Sequence, residues 1–296
     1  MLIVRSESRD VYRNLAVEEW LLDHAPHLPV LLLYVNDPCV VIGKNQNPWR
    51  ECRLSLMENE GVKLARRVSG GGAVYHDAGN LNLSIIVPRG EYREEKQYEL
   101  VFQTLEAFGV KSSKLGKSSL AVDGKKFSGQ AFCHRRDRTL HHGTLLVDTD
   151  LTRLGRYLGP ELDDIETRAI ASVPSEVMNL SAAAPGLTVE RLSAALVETF
   201  QTMYGGESSE FRVPSSELDV SGSEFRVSSF GESHFEVSEE ELFPGIGKYS
   251  SKGWNLEHTP RFDAVVNGVR CTVEKGRVTN LTGNPLFEEW LADQRV

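Results

Sequence analysis

Arg66-Arg67-Val68-Ser69-Gly70-Gly71-Gly72-Ala73-Val74-Tyr75-His76-Asp77 is the stretch on which the reading of this chain turns. Upstream, Val62 and Leu64 alternate with Lys63 and Ala65. Downstream, Leu81, Leu83, Ile85 and Val87 share one face, and Asn82 and Ser84 take the other. A period of two on both sides predicts a strand, a glycine loop and a second strand. Three successive glycines weaken any regular element, so a triplet marks backbone that comes close to something. Beside two arginines, that something is expected to be an anion, phosphate or carboxylate, held by backbone N–H groups and a guanidinium fork. The competing reading of the triplet alone is a flexible surface loop beside two solvated arginines. Two phosphate motifs are absent. No Gly-Lys-Ser/Thr closes the loop as in P-loop enzymes, and no helix with Gly-x-Gly-x-x-Gly spacing follows it.

Composition narrows the class. A chain of 296 residues accommodates one large domain, or one with a smaller companion. Its 40% hydrophobic and 25% charged content is that of an ordinary globular protein. No apolar run approaches the length of a membrane span, so no membrane role is expected. Met1 leads directly into Leu2-Ile3-Val4, a predicted first strand, with no basic or Arg/Ser-rich leader, and the expected location is cytoplasmic. A formal net charge of −9 argues against non-specific nucleic-acid binding, which needs an excess of cations. Cys39, Cys52, Cys133 and Cys271 are scattered without any Cys-x-x-Cys pair. They read as buried reduced thiols rather than a disulfide framework or a zinc site.

Helical periodicity is clearest at Val101, Leu105 and Phe108, and at Leu151, Leu154 and Leu158 behind Thr149 and Asp150. A third stripe, Leu192, Ala195, Leu196, Thr199, Phe200 and Met203, opens at Thr188 as N-cap. Strands dominate residues 30–90 and 117–148, which predicts an α/β or α+β layer structure. Composition shifts after Gly205-Gly206, where serine becomes frequent. Ser209-Glu210-Phe211-Arg212-Val213 recurs there as Ser223-Glu224-Phe225-Arg226-Val227, read as a local duplication in a tolerant linker. Further on, Arg261–Val266, Asn267-Gly268 and Val269–Val273 predict a hairpin, followed by a third strand through Val278 and Leu281. Leu286, Phe287, Trp290 and Leu291 predict a closing helix. The expected division is residues 1–206 as main domain, 207–243 as linker and 244–296 as a small last domain.

Taken whole, Arg-Arg-x-Ser-Gly-Gly-Gly-x-Val-x-His-Asp resembles the defining string of the lipoate-protein ligase A family, which includes the mitochondrial lipoyltransferases. Asn14-Leu15-Ala16-Val17-Glu18-Glu19, Val41-Ile42-Gly43-Lys44-Asn45-Gln46-Asn47-Pro48-Trp49, Lys126-Phe127-Ser128-Gly129-Gln130-Ala131, His141-His142-Gly143-Thr144-Leu145-Leu146 and Ser172-Val173-Pro174-Ser175 are similar to further family strings, in the same order. The resemblance implies a mixed-sheet, biotin/lipoate ligase-like catalytic domain with a small C-terminal accessory domain, here shortened. It implies an ATP-dependent ligase that activates lipoate as lipoyl-AMP and passes the lipoyl group to an acceptor lysine. The substrates would be lipoate and ATP with Mg2+, with metal ligands unassigned and no tightly bound prosthetic group. Acceptors would be lipoyl domains: the E2 of 2-oxoacid dehydrogenases, glycine-cleavage H protein, or a lipoate-binding protein of sulfur metabolism. Asp10–Asn14 and Glu241–Ile246 also resemble the mitochondrial relatives. That keeps open a transferase using preformed lipoyl-AMP or a lipoyl-protein donor.

Joining a carboxylate to an amine requires activation. The site therefore needs cations and N–H donors around carboxylate and α-phosphate, an apolar slot and exclusion of water. Lys126 is the expected central cation, just inside the strand that returns from the Asp123-Gly124 turn. Simple alternation puts Ser128 and Gln130 on its face, with Lys125 and Phe127 on the other. The family pattern assigns Lys126 to both carboxylate and phosphate, a task suited to a mobile point charge. It assigns Arg67, Gly72, Ala73, Val74 and Tyr75 to the nucleotide. Arg66, Ser69, Gly71, His76 and His142 would lie at the acyl-carboxylate end. His76 reads equally as a satisfied structural histidine, and alternation lets only one of His141 and His142 face the site. Octanoyltransferases of similar fold use a cysteine nucleophile where Thr139 stands in this chain, which disfavours a thioester route here, leaving Cys133 as the nearby thiol. Arg135, Arg136 and Arg138 form a basic tip, read either as a solvated turn or as a dock for an acidic acceptor domain.

Overall fold

Aliphatic strands with polar residues at set positions are what an open sheet covered by helices requires, and the computed structural model builds such a sheet. It describes residues 1–205, 209–213, 237–266 and 268–281. The chain forms two interleaved compact units. The first comprises 1–38, 76–151 and 174–246, and the second 39–75, 152–173 and 247 onward.

In the first unit, eight strands lie in the order β12 (Ser209–Val213), β1 (Leu2–Ser6), β2 (Val30–Tyr34), β6 (Asn80–Pro88), β10 (Arg138–Leu146), β9 (Lys125–His134), β8 (Ser119–Val122) and β7 (Ser113–Leu115). β1 runs parallel to β2 and β12; the other pairs are antiparallel. Leu81, Leu83, Ile85 and Val87 of β6 point into one core with Leu145 of β10 and Phe127 of β9. That core is roofed by α4 (Glu94–Glu106) and α7 (Val189–Tyr204). The hydroxyl of Thr188 accepts from the Arg191 N–H at 3.2 Å, capping α7 as its sequence predicts. α6 (Leu180–Ala183) is a single turn, and α8 (Glu239–Ser250) begins in this unit with three glutamates in its first turn. Helix α1 (Val11–His24), capped by the Asp10 carboxylate 2.8 Å from the Arg13 N–H, packs against β6 and β10.

In the second unit, β3 (Cys39–Ile42) is the central strand between β4 (Lys63–Arg66) and β5 (Val74–His76). α2 (Pro48–Glu51), α3 (Leu54–Asn59) and α5 (Leu151–Tyr157) accompany it. A four-stranded sheet has the order β11 (Asp163–Glu166), β13 (Phe262–Val266), β14 (Val269–Glu274) and β15 (Arg277–Leu281).

Three sequence expectations change. The boundaries at 206 and 244 do not delimit the compact units, because β11 pairs with β13 and Trp49 packs on Phe262, ring centroids 5.3 Å apart. Residues 209–213, expected in a linker, add a parallel strand to β1. Helix α8 runs through Pro244, where the last domain was expected to begin. The second copy of the repeat, Asn267 and the expected closing helix lie outside the described residues.

Trp49 is 2% exposed within a cluster of Phe262, Ala264, Cys271 and Val273. Trp49→Ala should therefore lower the stability of the second unit by about 3–5 kcal/mol. Urea unfolding followed by the Trp254 environment would report this as a midpoint shift.

Candidate functional site

The predicted site residues divide between the units. Arg66, Arg67, Ser69, Gly71, Gly72, Ala73, Val74 and Tyr75 belong to the second unit, and His76, Lys126 and His142 to the first.

Arg66 ends the outer strand β4, and its side chain is wholly buried. A buried guanidinium is tolerable only when its N–H groups find acceptors. Nη1 donates to the carbonyls of Gln46 at 2.7 Å, Lys44 at 2.9 Å and Gly43 at 3.4 Å. Nη2 donates to the Asn255 carbonyl at 2.7 Å and the Thr259 hydroxyl at 2.8 Å, and Nε to the Trp254 carbonyl at 3.0 Å. Burial pulls its pKa down to about 10, which leaves it cationic near neutrality. Expected at the acyl-carboxylate end, Arg66 has its side-chain donors engaged by the protein itself.

Arg67 organises the loop. Its Nη2 donates to the carbonyls of Gly70 at 2.6 Å and Gly72 at 2.7 Å, its Nε to Ser69 Oγ and the Gly70 carbonyl, both at 3.1 Å, and its Nη1 to Val41. Gly71 has φ of +87°, a conformation that a side chain disfavours. A Cβ on Gly72 would lie 3.0 Å from Ser172 Oγ, whereas one on Gly70 would meet nothing within 4 Å. Gly43 abuts the loop from below: a Cβ there would fall 2.3 Å from the Gly71 carbonyl oxygen. Ser172 Oγ accepts from the Ala73 N–H at 2.9 Å and from Gln46 Nε2 at 3.0 Å, while Gln46 Oε1 accepts from the Gly43 N–H at 2.9 Å. The Ser172 N–H donates to the Glu51 carboxylate at 3.1 Å. Val74 is half-buried, and the Tyr75 ring is core, 5.6 Å from that of Tyr157. What these two contribute to a ligand would be mainly backbone.

In the first unit, the Lys126 strand carries a β-bulge. Ser128 pairs with Leu120 but Lys126 with Ala121, so Phe127 is the extra residue. Phe127 fills the core, and the bulge reverses the alternation expected from sequence. Lys126 shares its face with Gly129, where an added Cβ would lie 3.3 Å from Lys126 Nζ. Gly129 is two residues from Ala131, which stands opposite His142 in β10. Lys126, Gly129 and His142 therefore lie on one face, while Ser128, Gln130 and His141 lie on the other. The Lys126 backbone is fixed by bonds to Glu176 and Met178, at 2.8 and 2.9 Å. Lys125 is exposed and ion-paired with Glu176.

His142 Nδ1 sits 2.8 Å from Glu18 Oε1, a carboxylate 1% exposed on α1 that also accepts from the Ser84 hydroxyl at 2.5 Å. That bond fixes the Nδ1–H tautomer. His76 accepts at Nδ1 from Asn36 Nδ2 at 2.9 Å, since Asn36 Oδ1 already accepts from Asn14 Nδ2 at 2.8 Å. Sequence reading missed Glu18 and Asn36 as partners of the predicted histidines, and Asn14 as the residue that orients Asn36. The available signal was polar residues four apart on the buried stripe of α1. On the opposite face, the Tyr92 hydroxyl donates to His141 Nδ1 at 2.9 Å, His141 Nε2 to Gln130 Oε1 at 3.0 Å, and Gln130 Nε2 to Ser128 Oγ at 2.7 Å. Gly143 permits this, because a Cβ there would fall 2.3 Å from the Gln130 amide.

Other expectations fare differently. Thr139 is wholly buried with its Oγ 2.9 Å from Nδ1 of His134, an exposed residue, so a histidine does neighbour it. Of the basic tip, Arg135 is paired with Glu19 and Asp23 of α1, and Arg138 is buried; Arg136 is the exposed one. A cavity of about 550 Å³ in the first unit, lined by Arg5, Glu7, Arg9, Tyr34, Val189 and Glu190, contains none of the predicted site residues. No helix among the described residues is long and apolar enough to cross a membrane.

The family model described as the lipoyl protein ligase A/B catalytic domain matches residues 10–201. Lipoate-protein ligase A of Bdellovibrio bacteriovorus is 42% identical over 207 residues, which are 68% of this chain and 61% of that protein. The chain spans about three fifths of the length of the curated relatives it matches. The crystal structure of P. falciparum LipL1 in complex with lipoate shares the fold at a TM-score of 0.68 and 23% identity, covering 95% of this chain and 83% of that one. So does the bipartite lipoate protein ligase from Thermoplasma acidophilum, described with its E2 lipoyl domain, at a TM-score of 0.66 and 23% identity, covering 86% and 94%.

Two outcomes follow from this geometry. Gly71→Ala should strain the loop and Gly70→Ala should be accommodated, so hydrogen exchange at residues 69–73 should quicken in the first variant alone. Burial, with the neighbouring His142, holds the His141 pKa at about 3 against 6.5 for the free side chain. Below pH 6.5 the unfolded chain takes up a proton that the folded one refuses. Stability from this group is thus complete above 6.5 and is lost as pH falls toward 3, by at most about 1.4 kcal/mol per pH unit. His141→Gln should flatten the dependence of Tm on pH between 6.5 and 4.

Proposed function

Because the chain belongs to the lipoyl protein ligase A/B catalytic-domain family, we propose that it is an ATP-dependent lipoate-protein ligase acting on lipoyl-domain proteins. The observation that carries this reading is the bulge that brings Lys126 onto the face of His142, above a glycine whose missing side chain leaves room for the ammonium.

In the proposed first step, a lipoate carboxylate oxygen attacks the α-phosphorus of ATP, an anhydride forms and pyrophosphate leaves. Lys126 offsets the charge that builds on carboxylate and phosphate. Arg67, Gly72, Ala73, Val74 and Tyr75 take the nucleotide, with Arg67 holding the loop carbonyls in place. Ser69, Gly71, His76 and His142 take the acyl-carboxylate end. Arg66 serves this end by fixing the backbone beneath the loop. In the second step, the acceptor lysine amine attacks the acyl carbonyl, AMP departs and the amine proton goes to solvent or a nearby base. Among the described residues no three His, Cys, Asp or Glu side chains gather as a metal cage. Magnesium carried on phosphate oxygens and water suits such a site. The relatives' names support lipoate and a lipoyl domain as the molecules handled. A cytoplasmic setting is part of the same proposal.

The deciding assay is pyrophosphate release that requires ATP and lipoate together. Transfer from added lipoyl-AMP without such release would instead favour a lipoyltransferase. Losing a desolvated cation opposite a phosphate costs about 2–5 kcal/mol. Lys126→Ala should therefore slow the reaction roughly 10²–10³-fold or more, whereas Lys125→Ala, which breaks only an exposed pair with Glu176, should remain near wild type.

A further inference from the structure

Strand β4 is the outer strand of its sheet, and its inner edge is taken, since the Arg67 N–H donates to the Ile42 carbonyl at 3.0 Å. The N–H and C=O of Arg66 face outward, where an unpaired edge would be expected. Two side chains occupy that edge. Asn255 Oδ1 accepts from the Arg66 N–H at 2.8 Å, and Trp254 Nε1 donates to the Arg66 carbonyl at 2.6 Å. Both belong to a single π-helical turn, Gly253–Glu257, an element that recurs at functional sites. The turn is itself fixed: Asn255 Nδ2 donates to the Tyr249 carbonyl at 2.6 Å, Lys248 Nζ lies 4.4 Å over the Trp254 ring, and the His258 ring lies 4.7 Å from it. From the same turn, the carbonyls of Trp254 and Asn255 hold the Arg66 guanidinium, whose other branch holds the carbonyls of residues 43, 44 and 46. The glycine loop rests on those residues. The Lys44 N–H donates to the Ser69 carbonyl at 2.8 Å, and Gly43 abuts the Gly71 carbonyl.

We propose that Trp254 and Asn255 are positioning residues for the glycine loop, acting through Arg66 and the 43–46 turn. The inference rests on the ligase reading only for the identity of the loop's ligand. By it, the segment that sequence assigns to an accessory domain is part of the loop's foundation.

Trp254→Phe keeps an aromatic ring at this position and removes the indole N–H that bonds the Arg66 carbonyl. In the ligand-free protein, hydrogen exchange at residues 43–46 and 66–73 should quicken about tenfold, while residues 119–146 stay unchanged. In turnover, the apparent KM for ATP should rise about tenfold with kcat at saturating ATP within about twofold. Asn255→Leu should reproduce both effects. Unchanged exchange at 66–73 overturns the proposal. So does exchange that quickens evenly throughout the second unit, or a quickened loop with an unmoved KM. A wild-type chain releasing no pyrophosphate from ATP and lipoate would overturn the ligase reading alone, and the exchange measurement would still decide the brace.

Discussion

A guanidinium removed from water needs an acceptor for each N–H, and much of the second unit is arranged around meeting that need for Arg66. Its donors reach carbonyls of residues 43, 44, 46, 254 and 255 and the hydroxyl of Thr259. These groups come from segments about two hundred residues apart in sequence. Removing the charge would leave several buried carbonyls without donors, so the cost of losing it exceeds any single bond. Next to it, Arg67 gathers the carbonyls of Gly70 and Gly72 on one side of the loop. In a P-loop the backbone amides surround an anion. Here an interior cation fixes the loop through its carbonyls, and both arginines of the motif hold backbone around the loop.

The first unit solves a different problem: placing a cation on a sheet face without surrendering the core beneath it. Phe127, next to Lys126, is wholly buried with Leu120 and Val122. Inserting it as a bulge lets it fill that core, and the residues before it change face relative to those after it. Lys126 consequently joins His142, whose ring is oriented by a buried carboxylate, while Gln130 and His141 bond behind the sheet. A histidine held neutral by burial, bonded at both nitrogens, makes a rigid backing for the strand.

Much of this was legible in the sequence because it is local. The strand–loop–strand around the glycines, the Thr188 cap, the Asp123-Gly124 hairpin and the 262–274 hairpin each follow from a few neighbouring residues. Asp123 and Gly124 have φ of 49° and 78°, the positive pair that such a turn demands. What sequence missed is set by partners far along the chain. The bulge answers to core volume at Phe127. The burial of Asn14 and Glu18 answers to Asn36, Ser84 and His142. The last domain was expected to begin at Pro244, yet as the sixth residue of α8 this proline forfeits a single backbone bond and the helix continues. The Ser209–Val213 segment reads as linker because only the edge of β1 makes it a strand.

The same distinction separates motif from mechanism in the glycine stretch. A string of residue types identifies where chemistry is expected, but the roles within it depend on which groups the fold has already engaged. The Ala73 N–H is bonded to Ser172, the Tyr75 ring is buried against Tyr157, and the Arg66 guanidinium is enclosed. Gly71, by contrast, is held in a conformation suited to glycine, and Gly72 is crowded by Ser172. The glycines are thus required by shape, and the arginines by the charge needed to hold that shape. The loop is a preformed surface whose shape is set by bonds within the protein, the condition under which fixed dipoles contribute most to stabilising charge.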